Sequence, residues 1–318
     1  MNVIDVHVHT PDIFSIYKHG CDEVKKWLLK EMDKANIEVI FLYALEVNPR
    51  IVLEKVKIND IYKGLEEIIN YGDLRLPPSL LRTVDDFNRT LLEHSNMLKT
   101  IFTPSERIIK ICRGTKRIVP VGSIDITSNV EEVIERVSKI LELGAVGIKI
   151  IPTLQMVDKK KLRVLNRIAE ILKDEGKMLF VHTSCDPGIW ELPRYCKVAN
   201  PKNFEKIIKK HKDLTVVLCH MGAYSALYPG IYLQEALEMA KKYDNVYLDT
   251  AAVEPHLIKI ACEKVEYSRI FFGSDYPVTG HSWKDLVLNV KLLDLNDNVK
   301  EHILRYNIID LMKTLNLW

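Results

Sequence analysis

The chain lacks a CxxC pair: its six cysteines, Cys21, Cys112, Cys185, Cys196, Cys219 and Cys262, are scattered along 318 residues. That spread argues against a disulfide framework and against a cysteine-type zinc site. Charge of one sign is missing too. Lys and Arg total 45 against 43 Asp and Glu, a net +2, so no polyanionic partner is indicated and nucleic acid is not expected. The lysine groups in "VDKKKLR" and "IIKKHKD" are mixed with apolar residues at helical spacing and read as solvated helix faces. No signal peptide is visible, because the first strand pattern starts two residues in; with the scattered cysteines this predicts a cytoplasmic protein. No membrane span is expected either. Residues 214–234 contain no Asp, Glu, Lys or Arg, but His220, Gly222, Pro229 and Gly230 interrupt them. A strand, a turn and a helix start explain that stretch better. Internal repeats, low-complexity tracts and obvious linkers are absent.

What is present is a globular composition: 47% hydrophobic, 28% charged, with 13 Gly and 13 Pro. The length suits two ordinary domains or one large α/β barrel, which needs about 250 residues. Short β-branched runs at 2–9, 38–45, 118–125, 146–151, 178–182, 214–220, 245–251 and 269–275 predict strands. Amphipathic stretches such as "CDEVKKWLLKEMDKA" and "NVEEVIERVSKILELG" fall between them. Strand-then-helix alternation implies parallel strands with crossover helices. Eight such strands close into a (β/α)8 TIM barrel, an α/β fold filling a single domain over residues 1–318. A doubly wound open sheet is the rival, weakened because no glycine-rich phosphate loop follows the first strand. Residues 47–117 are too long for an ordinary connection. Their patterns are helical and predict a helical insertion after strand 2, on the catalytic side.

The opening run "NVIDVHVHTP" carries an acid and two histidines at alternate positions. Regular alternation puts Asp5, His7 and His9 on one face and Ile4, Val6 and Val8 on the other. Two imidazoles one strand-step apart can bind one ion; polar residues of a half-exposed edge strand would look the same. The barrel hypothesis makes a further demand, that site residues sit at the C-terminal ends of strands. The first strand ends at His9, the fifth at His182 in "MLFVHTS", the sixth at His220 in "TVVLCHMG", and the eighth at Asp275 in "RIFFGSDYP". One polar strand end is unremarkable, but four metal-competent ones together favour a site.

These pieces, "DVHVH", "GIKIIP", "VHTS", "CHMG" and "FGSDYP", resemble the amidohydrolase superfamily, and within it the amidohydrolase-2 branch of metal-dependent hydrolases and decarboxylases. They run from the first strand to the last; the insertion matches no known piece. The resemblance implies that His7, His9, His182 and Asp275 bind one divalent metal, with zinc first and Mn²⁺ or a second metal left open. It implies a metal-acidified water, with Asp275 also carrying that water's proton. His220 would lie beside the metal, polarising a substrate carbonyl or acting as acid/base. Binuclear members use a carboxylated lysine on strand four. Lys149 holds that place, but its surroundings look like the mononuclear branch.

Secondary candidates are Lys149 as a site residue or structural ion pair, and Asp249, which ends the seventh strand in "VYLDTAA". His281, in the loop after Asp275, could touch substrate. Arg194, near Trp190 and Tyr195 in the loop after strand five, could hold a substrate carboxylate. Asp5 is expected deeper, in a supporting hydrogen bond. The expected function is a metal-dependent hydrolase using a zinc-activated water on a carbonyl of a small molecule. The alternative is a non-oxidative decarboxylase or hydro-lyase acting on a small carboxylic acid. A homo-oligomer is compatible with either. A purely structural metal is disfavoured, since structural zinc is mostly closed by cysteines.

Overall fold

The computed structural model describes residues 2–15, 17–47, 102–155, 157, 161–186, 191, 196–225 and 228–318. Eight strands follow one another: β1 (Val3–Val8), β2 (Ile37–Tyr43), β3 (Ile118–Ser123), β4 (Gly147–Ile150), β5 (Met178–His182), β6 (Val216–Cys219), β7 (Val246–Asp249) and β8 (Ile270–Phe271). Each pairs in parallel with the next, in sequential order. Backbone bonds from β1 and the residue after it to the segment following β8 bring the ends together: Val6 N donates to Phe272 O at 2.9 Å and His9 N to Tyr276 O at 2.8 Å. This is a TIM barrel.

The helices are α1 (Cys21–Ala35), α2 (Ser105–Cys112), α3 (Val130–Glu142), α4 (Lys161–Asp174), α5 (Glu205–Lys210), α6 (Leu233–Lys242), α7 (Pro255–Lys264), α8 (Trp283–Lys291), α9 (Asp297–Glu301) and α10 (Asn307–Thr314). Their apolar residues recur every three to four positions, as Val24, Leu28 and Met32 do on α1, which turns one stripe onto the sheet. Start signals are local. Asn129 accepts from Glu131 N and Glu132 N at the head of α3, and Ser282 accepts from Asp285 N at the head of α8, as N-caps do.

Two apolar layers result. The outer one packs Val3, Val8, Leu42, Ile150 and Leu218 against the helices. The inner one fills the barrel with Ile4, Val6, Phe41, Phe180, Val217 and Phe271, joined by Ile308, Leu311 and Met312 of α10. The α10 end lies where the strands begin, since Arg305 just before it donates to Asn2 O. The opposite end, where the strands finish, is left for the site.

β1 departs from simple alternation. Val8 lies in the outer layer with Val3, not with Ile4 and Val6. The β1–β2 register is irregular between Asp5 and Val8. Asp5 therefore does not share a direction with His7. It accepts from Trp283 Nε1 of α8 at 2.6 Å, and from Ser274 N at 3.0 Å, while the His7 ring packs 4.5 Å from that of Tyr43. The irregularity separates a supporting acid from the imidazole two residues on.

A second correction concerns the cysteines. Cys185 and Cys196, whose Cα atoms are 5.3 Å apart, form a disulfide. Sequence spread alone hid the pair, because eleven residues of separation carry no pairing signal. Of the expected insertion, residues 48–101 lie outside the described residues; α2 belongs to its C-terminal part. Among the described residues no helix is long and apolar enough to cross a membrane.

Candidate active site

Five side chains lie at or near the ends of β1, β5, β6 and β8. His7 Nε2 is 3.6 Å and His9 Nε2 3.2 Å from Asp275 Oδ1. One ligand atom from each of these three residues falls within 4.8 Å of the others, close enough to share one ion. The His220 ring lies 4.7 Å from that of His7 and 4.6 Å from that of His182. All five side chains are buried and line one cavity of about 280 Å³. His182 stands beside the three-residue cluster and is held differently. Its Nε2 makes no well-angled hydrogen bond, yet Glu191 Oε1 lies directly against it.

Local backbone places two of these residues. His220 and Asp275 have φ of 61° and 57°, the left-handed region that non-glycine residues seldom adopt. His220 is pinned there by its own N–H, which donates to Asp249 Oδ1 at 2.7 Å. Asp275 N donates to His7 O at 2.9 Å. Gly273 gives His7 its room: a Cβ on residue 273 would stand 2.9 Å from His7 Cβ and 3.1 Å from Ala251 Cβ.

Asp249 is more central than its sequence context suggests. Its Oδ2 lies 3.0 Å from His7 Nδ1, and its Oδ1 also accepts from Ala251 N. A carboxylate on the far nitrogen fixes an imidazole's tautomer and leaves Nε2 as a lone pair for a metal. His220 is oriented likewise, with Nδ1 2.9 Å from Ala251 O.

Electrostatics favour lone pairs. Burial, then the Lys149 cation, lowers His7 and His182 to about 3. Burial and the neighbouring His182 do the same to His220. All three are neutral at pH 7, the form that ligates metals. Burial would raise Asp275, but the His9 hydrogen bond and the His7 and His220 rings hold it well below the usual carboxylate range. A second set, His7, Cys219 and Asp249, is also tightly grouped. Burial pushes the Cys219 thiol far up.

Lys149 on β4 is in the site. Its Nζ is 3.4 Å from His7 Nε2 and 4.8 Å over the Tyr43 ring. His281 is not: it is exposed and borders a neighbouring cavity of about 350 Å³ instead. Arg194, with Trp190 and Tyr195, lies outside the described residues. Sequence reasoning missed Glu191 and Tyr224, both lining the site cavity. Neither ends a strand, and no periodic pattern marks them.

The family model for the amidohydrolase group matches residues 91–313, more than half of the chain. The chain belongs to the amidohydrolase-2 family. Members of this family are divalent-metal-dependent enzymes. Solved structures of similar fold include an uncharacterized TIM-barrel protein from Bordetella bronchiseptica, 16% identical, covering 99% of this chain and all of that one at TM-score 0.66. A 5-carboxyvanillate decarboxylase from Novosphingobium aromaticivorans, complexed with manganese and 4-hydroxy-3-methoxy-5-nitrobenzoic acid, is 13% identical over 98% of this chain and 96% of that one, at 0.59. A probable 2-pyrone-4,6-dicarboxylic acid hydrolase from Acinetobacter baumannii, with citric acid bound, is 14% identical over 98% and 100%, at 0.55. At these identities the likeness is one of fold. No curated protein matches the sequence. For an amidohydrolase-2 chain, a site at the C-terminal ends of the strands is the expected location.

Proposed function

We propose that this chain is a metal-dependent hydrolase that attacks a carbonyl of a small-molecule substrate. The observation that carries the reading is the convergence of His7, His9 and Asp275 ligand atoms within 4.8 Å of one another at the bottom of a cavity. The residues fit a divalent ion. Two imidazoles and an ionised carboxylate are ready donors, and His182, whose ring lines the same cavity, supplies a fourth. Such a cysteine-free N/O set suits catalytic zinc, and the carboxylate also accommodates manganese. A divalent ion held there supplies Lewis-acid polarisation of a carbonyl and a water acidified toward pH 7.

The chain's own residues do the rest. Asp275, ionised at neutral pH, takes the proton of the attacking water and returns it to the leaving group. His220 is neutral with Nδ1 committed to Ala251 O, so only its Nε2 lone pair faces the cavity. It acts as an acceptor, orienting or deprotonating, and does not donate to a carbonyl. Lys149 presents the cavity's positive group to the substrate. Ile13, Leu45, Ile151 and Leu154 form an apolar wall that fits a small carbon skeleton and excludes water.

Decarboxylation is the second reading. The buried Lys149 beside His7 favours it, since a cation there would fix a substrate carboxylate. Turnover of candidate substrates in ¹⁸O-labelled water separates the two. Hydrolysis predicts label in the product. Unlabelled product with stoichiometric CO₂ would replace it with the decarboxylase reading.

A further inference from the structure

We infer that Glu191 is an additional metal-facing carboxylate, which tunes the site toward manganese-like ions over zinc. The inference rests on the metal-dependent reading above and extends it to a residue that no strand end supplies. Glu191 is only 6% exposed, and His182 only 7%. The Glu191 Oε1 atom lies against His182 Nε2, the nitrogen proposed as a ligand. Its other oxygen accepts from Asp186 N, so one carboxylate oxygen is anchored to backbone while the other meets His182, and the residue lines the cavity that His7, His9 and Asp275 also line. A buried carboxylate needs a compensating charge or donor. Without an ion, the ring nitrogen of His182 is the group that meets Oε1. With an ion between His7, His9 and Asp275, the same oxygen and the same nitrogen both have a cation to face.

The delivery is covalent as well as polar. Glu191 falls between Cys185 and Cys196, eleven residues apart in sequence and bonded to each other. Cys185 is three residues beyond His182, so the disulfide ties the carboxylate's loop to the strand end that carries the imidazole. Asp186, whose N–H holds Glu191, directly follows Cys185.

The consequence for metal choice follows from donor chemistry. Zinc is satisfied by four ligands in a tetrahedron, and His7, His9, His182 and Asp275 already provide four. A second carboxylate adds oxygen character and a fifth ligand, which manganese takes more readily than zinc.

The test compares the metal-stripped full chain with Glu191→Gln. Mn²⁺ binding is read from the electron paramagnetic resonance of free Mn²⁺, and Zn²⁺ binding by competition with a chromophoric chelator. Glu191→Gln should bind Mn²⁺ at least ~10–100-fold more weakly, the range for removing even a hydrogen-bonding partner of a metal ligand, with a smaller change for Zn²⁺. Glu191→Asp keeps the charge but withdraws it by one methylene. Its Mn²⁺ affinity should fall between the two, which keeps the test decisive if Glu191→Gln does not fold. Unchanged affinities for both ions, or equal losses for both, would overturn the inference and leave the hydrolase reading intact. Wild-type protein that binds neither ion would overturn the metal-dependent reading itself.

Discussion

Asp249 touches two site residues at once. One oxygen lies on His7 Nδ1 and the other accepts from His220 N, so a single carboxylate fixes a ring and holds a left-handed backbone. Burial opposes its ionisation, yet His7 holds its pKa well below the usual range. Asp249→Asn should therefore fold but bind metal ~10–100-fold more weakly, measured by titration calorimetry. Unchanged affinity would reduce Asp249 to a packing role. At this scale the strand-end histidines and Asp275 were legible, because a strand's last residue is set by sequence order. The rank of Asp249 was not, since its importance comes from partners 242 and 29 positions away. Glu191 and the Cys185–Cys196 pair were invisible for a related reason: neither lies in a strand or helix whose period could be read. The positive φ of His220 and Asp275 left no trace either, for neither is glycine.

Elements show where alternation is a good guide and where it fails. The start of β1 obeys it: Val3 packs outward and Ile4 and Val6 fill the barrel. Beyond Asp5 the register slips, sending Asp5 to Trp283 of α8 and His7 into the cavity. A slip of this kind reverses face assignments. It depends on neighbours: the segment after β8 bonds to His7 O and His9 N. That segment must lie close, and Gly273 permits it. Gly273→Ala places a Cβ 2.9 Å from His7 Cβ. Overpacking of this kind costs ~1–3 kcal/mol, read from urea unfolding of the metal-free protein, and the displaced His7 should weaken metal binding in parallel. A stable variant with native metal affinity would show that the contact is slack. The eighth strand is also shorter than its hydrophobic run, two residues in place of seven. The rest of "RIFFGSDYP" turns away to set Asp275.

The whole molecule explains why four separate strand ends became one site. A barrel turns sequence-distant C-termini of strands into neighbours around one rim, so the test of the sequence pattern was topological. Eight parallel strands in sequential order met it. The helical crossovers were readable from their apolar stripes. The central claim is that His7, His9 and Asp275 hold a divalent ion on which His220 acts without holding it. The direct measurement is metal content by mass spectrometry of wild type, His7→Ala, Asp275→Ala and His220→Ala, each reconstituted with zinc or manganese and freed of excess. The account predicts about one equivalent in wild type, loss in His7→Ala and Asp275→Ala, and near-full occupancy in His220→Ala. No metal in wild type, or a His220→Ala site as empty as that of His7→Ala, would contradict it.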